Sequence, residues 1–224
     1  MIKLESANPT GSMKDRAALA IVRCAAEGAR LQPGDTIVEC TSGSTGTSLA
    51  SVAVALGYKC LLVSSDAFSA EKLSHMRALG ADLELLRSDN KKITVELVTA
   101  LIETSRQLSQ QPGHFWADQF HNTDVLTGYA ALGNEIWTQT DGRIDAYVQG
   151  VGTGGSLRGT AEALSDPRIA AVLVGPGLGR DAAARAMLAE TLARAFQNES
   201  GWSYVIPDAK LRAQRLVGAA RRAA

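Results

Sequence analysis

The chain has 224 residues, 46% of them apolar and 21% charged, and its 23 Lys plus Arg balance 23 Asp plus Glu. A zero formal charge argues against a protein that grips nucleic acid or an anionic membrane by bulk charge, and the mix is globular rather than disordered. No apolar run reaches the roughly 18 residues that span a bilayer, and Met1–Glu5 opens no signal-peptide h-region.

The length suits one α/β domain or two small lobes around a cleft. Helix and strand patterns alternate along it. Lys14–Ala29 reads as a helix, closed by Gly28 and Pro33-Gly34. Thr36–Cys40 is a β-branched strand, and a Gly/Ser/Thr loop leads from it into a helix over Thr45–Leu56 that Gly57 stops. Cys60–Ser64 is a strand, Ala70–Leu79 a helix, Asp82–Leu86 a strand and Ile93–Gln110 a longer helix. His114–Ala117 reads as a short strand and Asp124–Gln139 as a helix. Ala146–Val151 is a strand, Ser156–Leu164 a helix, Ala171–Val174 a strand and Asp181–Gln197 a helix. The tail after Asn198 has one short apolar run, Tyr204–Ile206. This alternation is the signature of βαβ units and predicts an α/β fold with parallel sheets and flanking helices. The polar segment Thr138–Asp145 marks a crossing between lobes, giving residues 1–138 and 139–224.

Three loops follow strands or open helices, where parallel sheets place ligands. The first is Asn8-Pro9-Thr10-Gly11-Ser12-Met13-Lys14-Asp15-Arg16. Ser12 reads as an N-cap and Asp15 suits the positive helix end. Lys14 opposes the helix dipole, which would lower its pKa and make its amine a better nucleophile for a Schiff base. A solvated surface lysine is the plainer alternative. The second loop is Thr41-Ser42-Gly43-Ser44-Thr45-Gly46-Thr47. Its small residues and hydroxyls at a helix start suit a carboxylate or phosphate, and equally a polar βα loop with its own cap.

The third loop is Gly150-Val151-Gly152-Thr153-Gly154-Gly155-Ser156. So many glycines cost unfolded-state entropy and favour a phosphate cradle. A dinucleotide site would want an acid about 20 residues on, and Val172-Leu173-Val174-Gly175-Pro176 has none. No P-loop and no GxSxG elbow is present. His75, His114 and His121 have no metal-ligand spacing, so no metal is expected. Cys24, Cys40 and Cys60 form no CxxC pair and suggest no disulfide framework, which makes a reducing cytoplasm the expected location.

Together these loops resemble the cysteine synthase and cystathionine β-synthase group of fold-type II enzymes, the tryptophan synthase β-like enzymes that use pyridoxal 5′-phosphate (PLP). The matching stretches are Asn8–Arg16, Thr41–Gly46, Asp118-Gln119-Phe120-His121-Asn122 and Gly152–Ser156, in the family's order and over residues 3 to 175. The resemblance implies that Lys14 carries PLP and is the catalytic lysine, and that Gly152, Thr153, Gly154, Gly155 and Ser156 wrap its phosphate. It implies that Thr41, Ser42, Gly43, Thr45 and Gln119 bind the substrate α-carboxylate. Ser44 stands where much of the family has an asparagine near the cofactor's 3′-oxygen. The implied activity is β-replacement on an O-activated serine by sulfide or another nucleophile, as in cysteine biosynthesis. The implied partners are a small amino acid, a sulfur nucleophile and a second copy in a homodimer, with no nucleic acid and no membrane.

The family's catalytic domain is longer, and its closing Gly/Ser-rich loop has no counterpart after Gly179. Val172–Asp181 is closer in look to a stretch of the NAD(P)H-hydrate dehydratases. The chain is therefore read as a shortened relative. Two alternatives stand beside it: a catalytically impaired fragment or binding partner of the same fold, and a nucleotide-binding α/β protein.

Overall fold

The computed structural model describes residues 2–144, 147–150, 152–164, 172–174 and 204–205. Two compact units divide the chain, Met1–Gly128 and Tyr129–Ala224, and each is described by itself.

The first unit opens with a 3-10 turn at Glu5–Ala7. Helix α1 (Lys14–Glu27) leads into strand β1 (Thr36–Cys40), followed by α2 (Ser44–Leu56) and β2 (Lys59–Ser65). Then come α3 (Ala70–Ala78), β3 (Asp82–Leu86), α4 (Val95–Leu108), β4 (His114–Trp116) and the start of α5 (Val125–Gln139). The four strands form one parallel sheet in the order β3-β2-β1-β4. β1 is therefore internal, and its residues from Ile37 to Cys40 are all buried. A parallel strand covered on both faces needs this kind of unbroken burial.

Strand alternation divides the two faces. Cys40 and Val63 pack against Leu97 and Leu101 of α4, with Phe68, Leu86 and Leu108 at the edge. The opposite face carries Leu62, which lies close to Gly46 of α2 together with Met76 of α3. Helices α1 and α2 pack on each other, burying Ile21, Val22 and Ala25 of the first and Leu49, Ala50 and Ala53 of the second. Gly57 ends α2 in the left-handed conformation, φ +78°, where its N–H groups and those beyond can reach back to the last turn. Thr94 caps α4 by accepting from the Leu97 N–H at 3.2 Å.

The second unit continues α5 and adds β5 (Tyr147–Gln149), α6 (Gly155–Ala163), β6 (Val172–Val174) and β7 (Tyr204–Val205). The three strands form a second parallel sheet in the order β5-β6-β7. Helices α5 and α6 meet closely at Gly133, where a Cβ would stand 2.6 Å from the Ala163 Cβ. The helix expected over Asp181–Gln197 lies outside the described residues. Among the described residues no helix is long and apolar enough to cross a membrane.

Candidate active site

The lysine loop is held by its own polar side chains. The Arg16 guanidinium donates to both carboxylate oxygens of Glu5, at 2.7 and 3.0 Å, and Asn8 donates to Glu5 and to the Ser12 carbonyl. Asp15 accepts from the Thr10 N–H at 2.8 Å and from Ser48 Oγ of α2 at 2.6 Å. Met13 occupies the residue just before α1, with helical φ and ψ of −60° and −14°, while Ser12 Oγ accepts the Lys14 N–H at 3.2 Å, the bond of a capping side chain. The first turn is tightened by i→i+3 bonds, Asp15 N–H to the Ser12 carbonyl and Arg16 N–H to the Met13 carbonyl, so the main chain itself closes this end.

Lys14 begins α1. Its amine is held below the ordinary lysine range, first by burial, while the carboxylate of Glu39 pulls in the opposite direction. Burial rather than the helix field is therefore the leading cause of its lowered basicity.

The second loop is braced from within. Thr41 Oγ1 accepts from the N–H groups of Gly43 and Gly46, both at 3.0 Å, and Ser64 Oγ donates to the Thr41 carbonyl at 2.8 Å. Thr41 thus caps α2 from outside it, because Gly43 at the cap position has no side chain to offer. Gly43 has φ +152°, and a Cβ there would run into the Lys72 side chain at 2.4 Å. The Ser44 and Thr45 N–H groups at the start of α2 have no intrahelical acceptor. Ser42 and Ser44 are exposed.

Gln119 joins this loop from the segment after β4. Thr45 Oγ1 donates to Gln119 Oε1 at 2.7 Å, and Gln119 Nε2 donates to the Cys40 carbonyl at 2.9 Å. The structure therefore brings Thr41, Ser42, Gly43, Thr45 and Gln119 together at the carboxyl end of β1. His121 is exposed and pairs with Asp118 at 2.9 Å.

One residue escaped the sequence reading. Glu39 is fully buried, accepts from the Cys40 N–H at 2.8 Å and the Gln119 N–H at 2.9 Å, and its carboxyl is pushed up to about 7 by burial. Its signal in the sequence is a lone carboxylate in the otherwise uncharged strand Thr36-Ile37-Val38-Glu39-Cys40. Burial also pushes the Cys40 thiol far up and the Cys60 thiol up to about 12, so neither is a nucleophile near neutral pH.

The glycine loop belongs to the second unit. Gly154 takes φ +85° at the cap of α6, and a Cβ added at Gly150, Gly152 or Gly154 would meet nothing within 4 Å. Among the described residues these glycines have no packed neighbours, which suits a cradle for a phosphate. Gln149 Nε2 donates to Ser156 Oγ, tying β5 to the first turn of α6. Among the described residues no cluster of three or more His, Cys, Asp or Glu could hold a metal.

Residues 1–212 match the pyridoxal-phosphate dependent enzyme family. The chain belongs to this family. It is 38% identical over 179 residues to a cysteine synthase of Staphylococcus aureus, covering 78% of this chain and 56% of the relative. A solved O-ureido-L-serine synthase is 37% identical with a TM-score of 0.68, over 77% of this chain and 54% of that one. The Entamoeba histolytica cysteine synthase is 34% identical with a TM-score of 0.67, over 77% and 50%. The chain spans about half the length of the curated relatives it matches. The PLP-family match bears out the fold class read from the sequence, fold-type II with parallel sheets and flanking helices. It also displaces the nucleotide-binding alternative.

Proposed function

We propose that this chain carries the PLP-binding and substrate-carboxylate residues of a cysteine synthase-like enzyme, acting by β-replacement on an O-activated serine. The observation that carries the reading is that one unit holds both a half-buried Lys14 of lowered basicity and the hydroxyl and N–H cradle of Thr41–Thr45 and Gln119. The donor set fits PLP. Lys14 has a primary amine of lowered basicity, and Gly152 and Gly154 stand open at the start of α6, where Thr153, Gly155 and Ser156 would complete the phosphate cradle.

When bound, PLP would supply an electron sink for the substrate α-carbon. Lys14 would hold the cofactor through its amine and, once released, would take the α-proton at Nζ. Thr41, Ser42, Gly43, Thr45 and Gln119 would orient the α-carboxylate, so that the α-proton faces the lysine. Ser44, shorter than the family's asparagine, would approach the cofactor's 3′-oxygen. Sulfide is the proposed nucleophile, a homodimer the proposed assembly and the cytoplasm the proposed location, with neither nucleic acid nor membrane as a partner. The functional lobes proposed are 1–138 for the lysine and carboxylate residues and 139–224 for the phosphate loop.

The test is to mix the purified chain with PLP, reduce with borohydride and map the labelled peptide. Label on Lys14, and cysteine formed from O-acetylserine and sulfide, are the results expected. No label, or label spread over surface lysines, would overturn the reading.

A further inference from the structure

Glu39 lies under the carboxylate loop, and its bonds run to both halves of it. One oxygen accepts the Cys40 N–H at the end of β1, and the other accepts the Gln119 N–H after β4. Gln119 then returns its side-chain N–H to the Cys40 carbonyl and receives the Thr45 hydroxyl. Three of these four bonds link two segments far apart in sequence, and the fourth fixes the Glu39 carboxylate on its own strand. The turn they anchor is a demanding one, because Asp118, just before Gln119, has φ +45°. Side chains other than glycine seldom adopt that conformation unless their surroundings hold them there.

A carboxylate with no exposed surface is a costly way to join two strands. Burying the charge costs several kcal/mol, and a well-packed apolar residue would do as well or better for stability alone. Only a carboxylate offers two acceptor oxygens to two N–H donors and no donor of its own. The charged and titratable groups facing it are Lys14, Asp118, Cys40 and Cys60.

We propose that Glu39 is a positioning residue: its buried carboxylate sets the Gln119 side-chain amide in register with the Thr41–Thr45 loop, so that the two bind an amino-acid carboxylate as one unit. The inference rests on the proposed role of Gln119 in binding substrate. Glu39 touches neither substrate nor cofactor in this account. It acts through Gln119 and Cys40.

The test compares wild type with E39Q, which keeps the shape but replaces one acceptor oxygen by a donor. Amide hydrogen exchange is measured on the cofactor-free chain, and L-alanine affinity on the PLP-loaded chain. The expected result is exchange about tenfold faster at Gln119 and Cys40, with the rest of β1 and β2 unchanged. L-Alanine should bind about tenfold more weakly, while borohydride still labels Lys14. Unchanged exchange at Gln119, or faster exchange spread evenly over the sheet, would overturn the proposal. So would an unchanged L-alanine affinity in a protein that labels at Lys14. If wild type fails to label at Lys14, the PLP reading fails, and the exchange comparison still decides whether Glu39 positions Gln119. If E39Q does not fold, E39D keeps the charge with a shorter reach, and loosened exchange at Gln119 is again expected.

Discussion

The carboxylate of Asp15 accepts a 2.6 Å hydrogen bond from Ser48 Oγ, joining the residue next to Lys14 to the second turn of α2. The same carboxylate takes the Thr10 N–H and hydroxyl, so three donors depend on it. Asp15→Ala would leave the Thr10 N–H without its acceptor and the Thr10 and Ser48 hydroxyls only each other, 3.2 Å apart, in a partly buried place. The expected loss is about 2 kcal/mol of folding stability, read from the urea midpoint. A double-mutant cycle of D15A with S48A should show a coupling of about 1 kcal/mol. Additive effects would mean that the bond does not form in solution.

Lys14→Arg keeps a cation but loses the nucleophilic amine. Borohydride labelling with PLP should disappear, with little change in melting temperature. Labelling of wild type should half-saturate at lower pH than a surface lysine does, because burial disfavours the charged amine. Glu39 opposes that lowering, so E39Q should move the labelling curve to still lower pH. A shift upward would reverse the assigned electrostatics.

Glu39 predicts a distinct pH dependence of stability. Its folded pKa is raised from 4.5 to about 7, so the folded chain holds a proton that the unfolded chain has released. Stability from this group is complete below about pH 4.5, falls as pH rises to about 7, and is constant above that. The loss is on the order of 3 kcal/mol. Chemical denaturation of wild type and E39Q across this range isolates it, since the mutant lacks this slope. Parallel curves for the two proteins would contradict the assignment.

Two of the glycines set by close approach, Gly46 and Gly128, lie in the first unit. A Cβ at Gly46 would lie 2.5 Å from Thr41 Cγ2 and 2.6 Å from Met76 Sδ. At Gly128 it would lie 2.3 Å from the Arg16 carbonyl oxygen, which is backbone and cannot swing aside. Gly46→Ala should cost about 2 kcal/mol and Gly128→Ala about 3 kcal/mol, measured by thermal or urea unfolding. Stability within 0.5 kcal/mol of wild type at either position would show that the helices part easily there.

Much of the first unit was legible from period and punctuation. Strands β1 and β3 begin and end where their β-branched or alternating runs do, and Gly57 marks the end of α2. Ser12 makes the capping bond expected of it, to the Lys14 N–H, although the i→i+3 bonds of the first turn put one residue, Met13, between it and α1. Thr41 and Gln119 could be singled out as loop residues, but not their mutual bonding through Thr45 and Cys40. Glu39 was invisible for the same reason. A carboxylate in a strand reads as solvent-facing until β4, and the segment after it that carries Gln119, are known to be its neighbours. Asp15 was read from the helix dipole, whereas its partner Ser48 belongs to another helix.

Strand β4 pairs with β1 through Thr36 and His114, the most sequence-distant pairing in that sheet. Closing so long a loop is entropically expensive, whereas β1–β2 and β2–β3 join through short crossovers. Gln119 sits just beyond β4, so it reaches Glu39 and Thr45 only once that pairing is made. A nascent or partly unfolded chain can carry Lys14 and a complete Thr41–Thr45 loop and still lack half of the carboxylate grip proposed above. Under the proposed role of Gln119, competence to hold an amino acid would report on the β1–β4 pairing, and protease trimming that frees β4 would silence it while leaving the other three strands paired.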